Sequence, residues 1–225
     1  MSLSPWHDFV EQFVKPGTLV FDIGAHGGNY TINYLLMGAR VIAVEPQANI
    51  IEILINKVLA DKRIDFSMLT PICAACGDAP GVLQMTVYKR CGLASLAPEK
   101  WSTSRMRTHL RDEIVNVNVT TLDNLIGAYG VPDFLKVDVE YYEPEVFAGL
   151  TKPVPALCYE YTREQLDDSI SVARHLQEIG NYEFAYGFER DAPSVDWCND
   201  IDAVFGELSK CGGVGLWGDM YARLA

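Results

Sequence analysis

The run Thr18-Leu19-Val20-Phe21-Asp22-Ile23 passes straight into Gly24-Ala25-His26-Gly27-Gly28-Asn29, and this junction constrains the fold more than any other part of the chain. A continuous apolar run closed by an acid has the pattern of a strand buried on both faces, as in parallel sheets. The glycines let the backbone turn tightly and leave it open to close approach by a ligand. A helix follows to about Met37, and Gly38 ends it. A second buried strand occupies 40–45, a helix 46–60 and a third strand 64–69. This β-α-β-α-β alternation is the signature of a doubly wound sheet.

Residues 5–14 read as a short amphipathic helix with Trp6, Phe9, Val10 and Phe13 on one side, broken by Lys15-Pro16-Gly17. The middle of the chain departs from the alternation. Residues 82–88 and 114–120 read as strands. In the second, Val115, Val117 and Val119 share one face and Asn116 and Asn118 the other, so the two are expected to pair antiparallel. Residues 89–113 between them read as polar and irregular, and a connection that long inside a compact domain is usually functional or mobile. Alternation then resumes, with helices at 122–129, 143–150, 169–179 and 200–209 and strands at 133–139, 156–161, 182–188 and 216–223. The expected architecture is one α/β domain over 1–225: a seven-stranded sheet with helices on both faces and an insertion at about 82–120. At 49% aliphatic, aromatic and cysteine residues the chain can fill such a core.

Two classes of ligand compete for a glycine turn at a helix N-terminus, where unpaired N–H groups and the positive end of the helix dipole gather. A dinucleotide wants G-x-G-x-x-G, so that its pyrophosphate lies on bare backbone. Here His26 stands at the second glycine and Asn29 at the third, and Asp22 adds a negative charge beside them. S-adenosylmethionine has no phosphate and carries a sulfonium and an ammonium, which makes Asp22 an asset. Glu45 closes the second strand just before Pro46, where a carboxylate can accept both ribose hydroxyls. That position serves NAD as well, and an acid there can also simply cap the next helix. An NAD-dependent oxidoreductase and a non-catalytic S-adenosylmethionine-binding domain are the alternatives to a methyltransferase.

FDIGAHGGNYT, AVEPQ, TTLDNL, LKVDVEYYEPEVFAGL and GDMYAR, spread in this order over residues 20–223, give the chain a resemblance to the FkbM-type methyltransferases. The resemblance implies a class I methyltransferase (Rossmann-like) fold and transfer to an oxygen on a small molecule. It implies cofactor contacts at Asp22, Gly24, Asn29 and Glu45, and Ala25, His26 and Pro46 fall within the same two motifs. The family usually shows D-x-E-G-x-E, but here the segment is Asp138-Val139-Glu140-Tyr141-Tyr142-Glu143, with Tyr141 in the glycine's place. If that position needs a positive φ, tyrosine is strained there.

Methyl transfer to an alcohol needs the acceptor oxygen, methyl and sulfur in line, and a base to take the proton. Ligands of open α/β sheets bind beyond the carboxyl ends of the strands. Asp138, Glu140 and Glu160 lie near such ends and are the candidate catalytic acids, Asp138 and Glu140 sharing a face if their strand runs that far. The competing reading makes Glu140 and Glu143 an acidic first helical turn and Glu160 a salt-bridged acid. Three close carboxylates raise each other's pKa unless a cation joins them; a magnesium-like ion would suit them, and a metal-free site is preferred. Leu96, Trp101 and Met106 with Arg105, Arg107 and Arg111 suit a lid over an amphiphilic or acidic acceptor, or else a solvated helix face; His109 in the same stretch is set aside.

The net charge of −12 opposes nucleic acid, and neither an N-P-P-[YFW] nor a D-P-P-[YFW] tetrapeptide occurs. No export signal or membrane-length apolar run is evident, so a cytoplasmic protein with six free thiols is expected. Cys73 and Cys76 have no second pair at zinc spacing. The expected partner is a small-molecule hydroxyl acceptor.

Overall fold

Strands made almost wholly of apolar residues need cover on both faces, and this chain supplies it with helices from two sides. The computed structural model describes residues 5–88, 93–103, 113–188, 193, 196–211 and 217–225. The main sheet contains β1 (Leu19–Ile23), β2 (Arg40–Val44) and β3 (Leu69–Ile72) from the first half of the chain. A smaller sheet is built from β4 (Ala75–Cys76), β5 (Gly81–Tyr88), β6 (Leu93–Ser95) and β7 (Glu113–Thr120). The main sheet is completed by β8 (Phe134–Val137), β9 (Ala156–Thr162), β10 (Tyr182–Phe188) and β11 (Trp217–Leu224). The seven main strands lie in the order β10-β11-β9-β8-β1-β2-β3, with β11 antiparallel to both its neighbours.

The order reverses between β1 and β8, and the crevice beyond the carboxyl ends of such a pair is where open α/β sheets bind ligands. One face of the sheet, with Phe21, Ile23, Leu135 and Val137, packs against α5 (Leu122–Tyr129), α6 (Glu143–Ala148), α7 (Leu166–Ile179) and α8 (Ile201–Lys210). The other face, with Val20, Val41, Ala43 and Phe134, packs against α1 (Pro5–Val10), α2 (Asn29–Leu36) and α3 (Ala48–Ala60). Among the described residues no helix is long and apolar enough to cross a membrane.

The antiparallel pairing of β5 with β7 is as expected, with Val117 and Val119 buried and Asn116 and Asn118 exposed. Three expectations need correction. The third strand is not at 64–69: Phe66–Met68 forms a 3-10 turn and the strand starts at Leu69, because the Asp65 carboxylate accepts the Ser67 N–H and diverts the backbone into a local turn. The strand at 133–139 stops at Val137, so Asp138 and Glu140 are not alternate positions of one strand. The stretch 89–113 is not wholly irregular, since it contains β6 and the short helix α4 (Pro98–Thr103). Arg105, Met106, Arg107, His109 and Arg111 lie outside the described residues, as does the side chain of Trp101.

Candidate active site

Backbone pairing continues past the strand ends and draws three segments together. Gly24 and Ala25 donate to the Val44 carbonyl at 2.9 and 3.0 Å, Glu45 donates to Ile72 at 3.1 Å and Asp138 donates to Ile23 at 2.9 Å. Gly24 has φ +79, and a Cβ there would stand 1.8 Å from the Asp138 carbonyl oxygen, so only glycine lets the turn after β1 meet the end of β8. Gly28, at φ +84 before α2, sits where a Cβ would approach Leu54 Cγ to 2.7 Å.

A cavity of about 200 Å³ lies over this junction. Gly24, Ala25, His26, Asn29, Glu45 and Pro46 all line it, as do Asp138 and Glu140. Its far wall is the smaller sheet, through Met85, Ala94, Ser95 and Leu96. Asp22 and Glu160 do not line it.

Asp22 is 1% exposed and points from β1 toward α2, where it accepts a hydrogen bond from the Thr31 hydroxyl at 2.5 Å. Burial raises its pKa, against the pull of Lys136 and the Thr31 bond. It therefore braces the cofactor turn from beneath and does not face the cavity. Glu45 is buried at the cavity rim, where Oε2 accepts the His26 N–H at 3.1 Å and Oε1 the Gln47 N–H at 2.9 Å. Burial raises its pKa, opposed by those donors. Each carboxylate oxygen keeps a further lone pair for a ribose hydroxyl.

Four N–H groups of the turn are already committed. Those of Gly24 and Ala25 go to Val44, that of His26 to Glu45 and that of Gly28 to Ala25. The described lining carries Glu45, Asp138 and Glu140, with no lysine or arginine to meet a pyrophosphate. This donor set fits a cationic, phosphate-free cofactor.

Lys136 was not anticipated as part of the site, although a lone cation in the buried run Phe-Leu-Lys-Val was a legible signal. Its side chain is 1% exposed; Nζ lies 2.8 Å from Asp138 Oδ2 and 4.4 Å from the Tyr30 ring centroid. Burial alone would lower its pKa, but Asp138 and Asp219 outweigh that and hold it well above the ordinary lysine value. Asp138 is thereby fixed at the cavity wall as an oriented carboxylate.

Tyr141 does adopt a positive φ of 76°, and Glu140 before it 56°. The strained pair is held from β6 and α4. Ser95 Oγ donates to the Glu140 carbonyl at 2.7 Å, and Lys100 Nζ donates to the Tyr141 carbonyl at 3.0 Å and to Asp168 at 2.9 Å. The Tyr141 side chain is buried against Tyr88 and Ala97. Nothing in the sequence announced the Ser95 contact, which joins residues 45 positions apart.

Glu160, at the end of β9, lines a second, smaller cavity together with Glu143. Burial and the facing carboxylates of Asp138, Glu140 and Glu143 push its pKa well above the usual range. Burial likewise raises Glu143 to about 7, although it accepts the Val139 N–H. Among the described residues, no group of three or more His, Cys, Asp or Glu is placed to hold a metal ion.

The strand order, the glycine turn, the buried Glu45 and the acid-lined cavity are those of an S-adenosylmethionine-dependent methyltransferase. Residues 22–190 match the model of the methyltransferase FkbM domain, and the chain belongs to that family. No curated protein matches it significantly. Among solved structures it is similar to precorrin-6y C5,15-methyltransferase from Geobacter metallireducens, at 8% identity and TM-score 0.52 over 98% of this chain and 87% of that one. A putative rRNA methylase from Clostridium thermocellum superposes at 11% identity and TM-score 0.48 over 100% and 98% of the two chains. A putative methyltransferase from Streptococcus mutans, solved with S-adenosylhomocysteine, gives 11% and 0.47 over the whole of both. The first of these supports the α/β fold alone.

Proposed function

We propose that the chain methylates a hydroxyl oxygen of a small molecule. The observation that carries this reading is Asp138, a carboxylate held by Lys136 at 2.8 Å and set into the cavity wall against the cofactor turn. Bound S-adenosylmethionine supplies an electrophilic methyl group. Glu45 would hold its ribose, and the backbone at Gly24 and Ala25 would lie along it. Asp138 would accept the hydrogen bond of the acceptor hydroxyl, aim its lone pair and take its proton as the O–C bond forms and the C–S bond breaks. Lys136 keeps Asp138 in one rotamer, so that alignment is in place before the acceptor arrives. Met85, Ala94 and Leu96 supply an apolar wall that limits water beside the reacting atoms. The net charge of −12 favours a neutral or cationic acceptor over a polyanion such as RNA.

The test is mass spectrometry of small-molecule extracts incubated with S-adenosylmethionine and either the parent protein or Asp138→Asn. The expected result is a methyl ether formed only by the parent, with both proteins binding S-adenosylhomocysteine alike in calorimetry. Methyl groups appearing on nitrogen, or on RNA added to the extract, would overturn the reading.

A further inference from the structure

The glycine turn has two halves with different neighbours. Gly24, Ala25, His26 and Asn29 line the large cavity, whereas Gly27 and Gly28 are absent from its described lining and lie against α3. A Cβ on Gly27 would stand 3.2 Å from Lys57 Nζ and 3.9 Å from Ile53 Cγ2. The space that glycine leaves there admits an ammonium, and Lys57 Nζ donates to the Gly27 carbonyl at 2.7 Å. Lys57 is an exposed residue of α3, and a lysine of that kind ordinarily keeps its charged end in water. Here the charged end is spent on a backbone oxygen 30 positions away in the chain.

The carbonyl it holds belongs to the peptide between Gly27 and Gly28. The N–H of that same peptide, carried by Gly28, donates to the Ala25 carbonyl at 2.9 Å. The peptide plane is thus tied at both edges, once within the turn and once to α3. A peptide flanked by two glycines meets little steric resistance to turning over, because neither neighbour carries a Cβ. Turning over would withdraw the Gly28 N–H from Ala25 and loosen the residues before it. Among them is His26, at φ +46, a conformation that a residue other than glycine keeps only where its surroundings enforce it. The His26 N–H in turn fixes Glu45 Oε2 at 3.1 Å. We infer that Lys57 is a positioning residue for the cofactor: from outside the cavity it holds the Gly27–Gly28 peptide in the orientation that keeps His26 and Glu45 set for the ribose. This role rests on S-adenosylmethionine as the cofactor and is independent of what accepts the methyl group.

Charge and position give opposite signs when Lys57 is replaced. S-adenosylmethionine, with a sulfonium, an ammonium and a carboxylate, is a net cation, and S-adenosylhomocysteine is neutral overall. A lysine acting only through its field opposes the cation, so removing it from an acidic protein would tighten S-adenosylmethionine and leave S-adenosylhomocysteine nearly unchanged. Loss of the tie to α3 weakens both ligands, because the receptive turn becomes a fraction of the population and apparent affinity falls by that fraction.

The test is calorimetry of both ligands with the parent, Lys57→Met and Lys57→Arg, beside NMR hydrogen exchange of the Gly28 amide in the ligand-free proteins. Lys57→Met should weaken both ligands by about tenfold, the low end for a hydrogen bond from a charged group, and should speed Gly28 exchange by about as much. Lys57→Arg keeps a charged donor and should recover most of the affinity and of the protection. Unaltered affinities in Lys57→Met, or a tighter S-adenosylmethionine with S-adenosylhomocysteine unchanged, would overturn the role. So would weaker binding with Gly28 exchange unchanged and a lower urea midpoint, which is general destabilisation. A parent that binds neither ligand would sink the cofactor reading and this role with it, whereas variants that match a parent which does bind refute Lys57 alone.

Discussion

Replacing Tyr141 with glycine sets two effects of opposite sign against each other. Tyr141 holds φ 76°, and removing the side chain relieves left-handed strain of roughly 1–2 kcal/mol. Glycine gives back about 0.5–1 kcal/mol of that through the freedom it adds to the unfolded chain. The ring, however, is 5% exposed and packs with Tyr88 and Ala97. Losing a buried aromatic side chain costs about 3–5 kcal/mol, because transfer free energy and an unfilled cavity add. Packing wins: Tyr141→Gly should destabilise the protein by about 3 kcal/mol, which in a chain of this size lowers Tm by roughly 6–12 °C. Urea unfolding of Tyr141→Gly and Tyr141→Phe measures it, with the phenylalanine variant expected within about 1 kcal/mol of the parent. Hydrogen exchange should locate the loosening in residues 93–100, where Ser95 and Lys100 bind the carbonyls of this segment. A glycine variant as stable as the parent, or more so, would show that strain dominates and that the ring anchors nothing.

Glu45→Ala should weaken S-adenosylhomocysteine by about 1.5–3 kcal/mol in calorimetry, the scale of hydrogen bonds to a charged group; unchanged affinity would mean that the ribose is held elsewhere. Lys136→Met strands Asp138 and Asp22 without their buried cation and should cost about 3–5 kcal/mol in urea unfolding, a loss under about 1 kcal/mol counting against the buried pair. Glu143 binds its proton more tightly folded than unfolded, so its contribution to stability is full below pH 4.5 and is lost as pH rises through about 7. Glu143→Gln should therefore flatten the fall in stability across that window and gain up to roughly 3 kcal/mol at pH 8, and identical pH profiles for the two proteins would contradict the assignment.

Much of the fold could be read because parallel strands write themselves as apolar runs. Leu19–Ile23 and Arg40–Val44 fall where those runs do. Asp22 misled for the same reason: in a strand buried on both faces no polar alternation tells which way a side chain points. Its parity with Val20 sends it toward Thr31, away from the cavity. Asp138 reaches the cavity as the first residue after β8, and Glu140 at the first of two positive-φ residues, not through strand alternation. Local propensity gave no hint of this, because the backbone is held there by Ser95 of β6 and Lys100 of α4. Glu160 does stand close enough to Asp138, Glu140 and Glu143 for their charges to raise its pKa, but it lines the smaller cavity and not the large one.

The two walls of the large cavity are joined in unequal ways. On one side the chain runs from Ile72 at the end of β3 to Ala75 at the start of β4 in a turn closed by the Ala74 N–H on the Ile72 carbonyl at 3.1 Å. Among the described residues, the opposite side is closed by Ser95 on the Glu140 carbonyl and Lys100 on the Tyr141 carbonyl. The cavity is thus a jaw with a covalent hinge and a hydrogen-bonded clasp. The hinge end, Ala74 to Cys76, forms cavity wall, whereas the clasp grips the segment that presents Asp138 and Glu140. Breaking the clasp would free the backbone that holds those acids in register, while the hinge would keep the two walls joined.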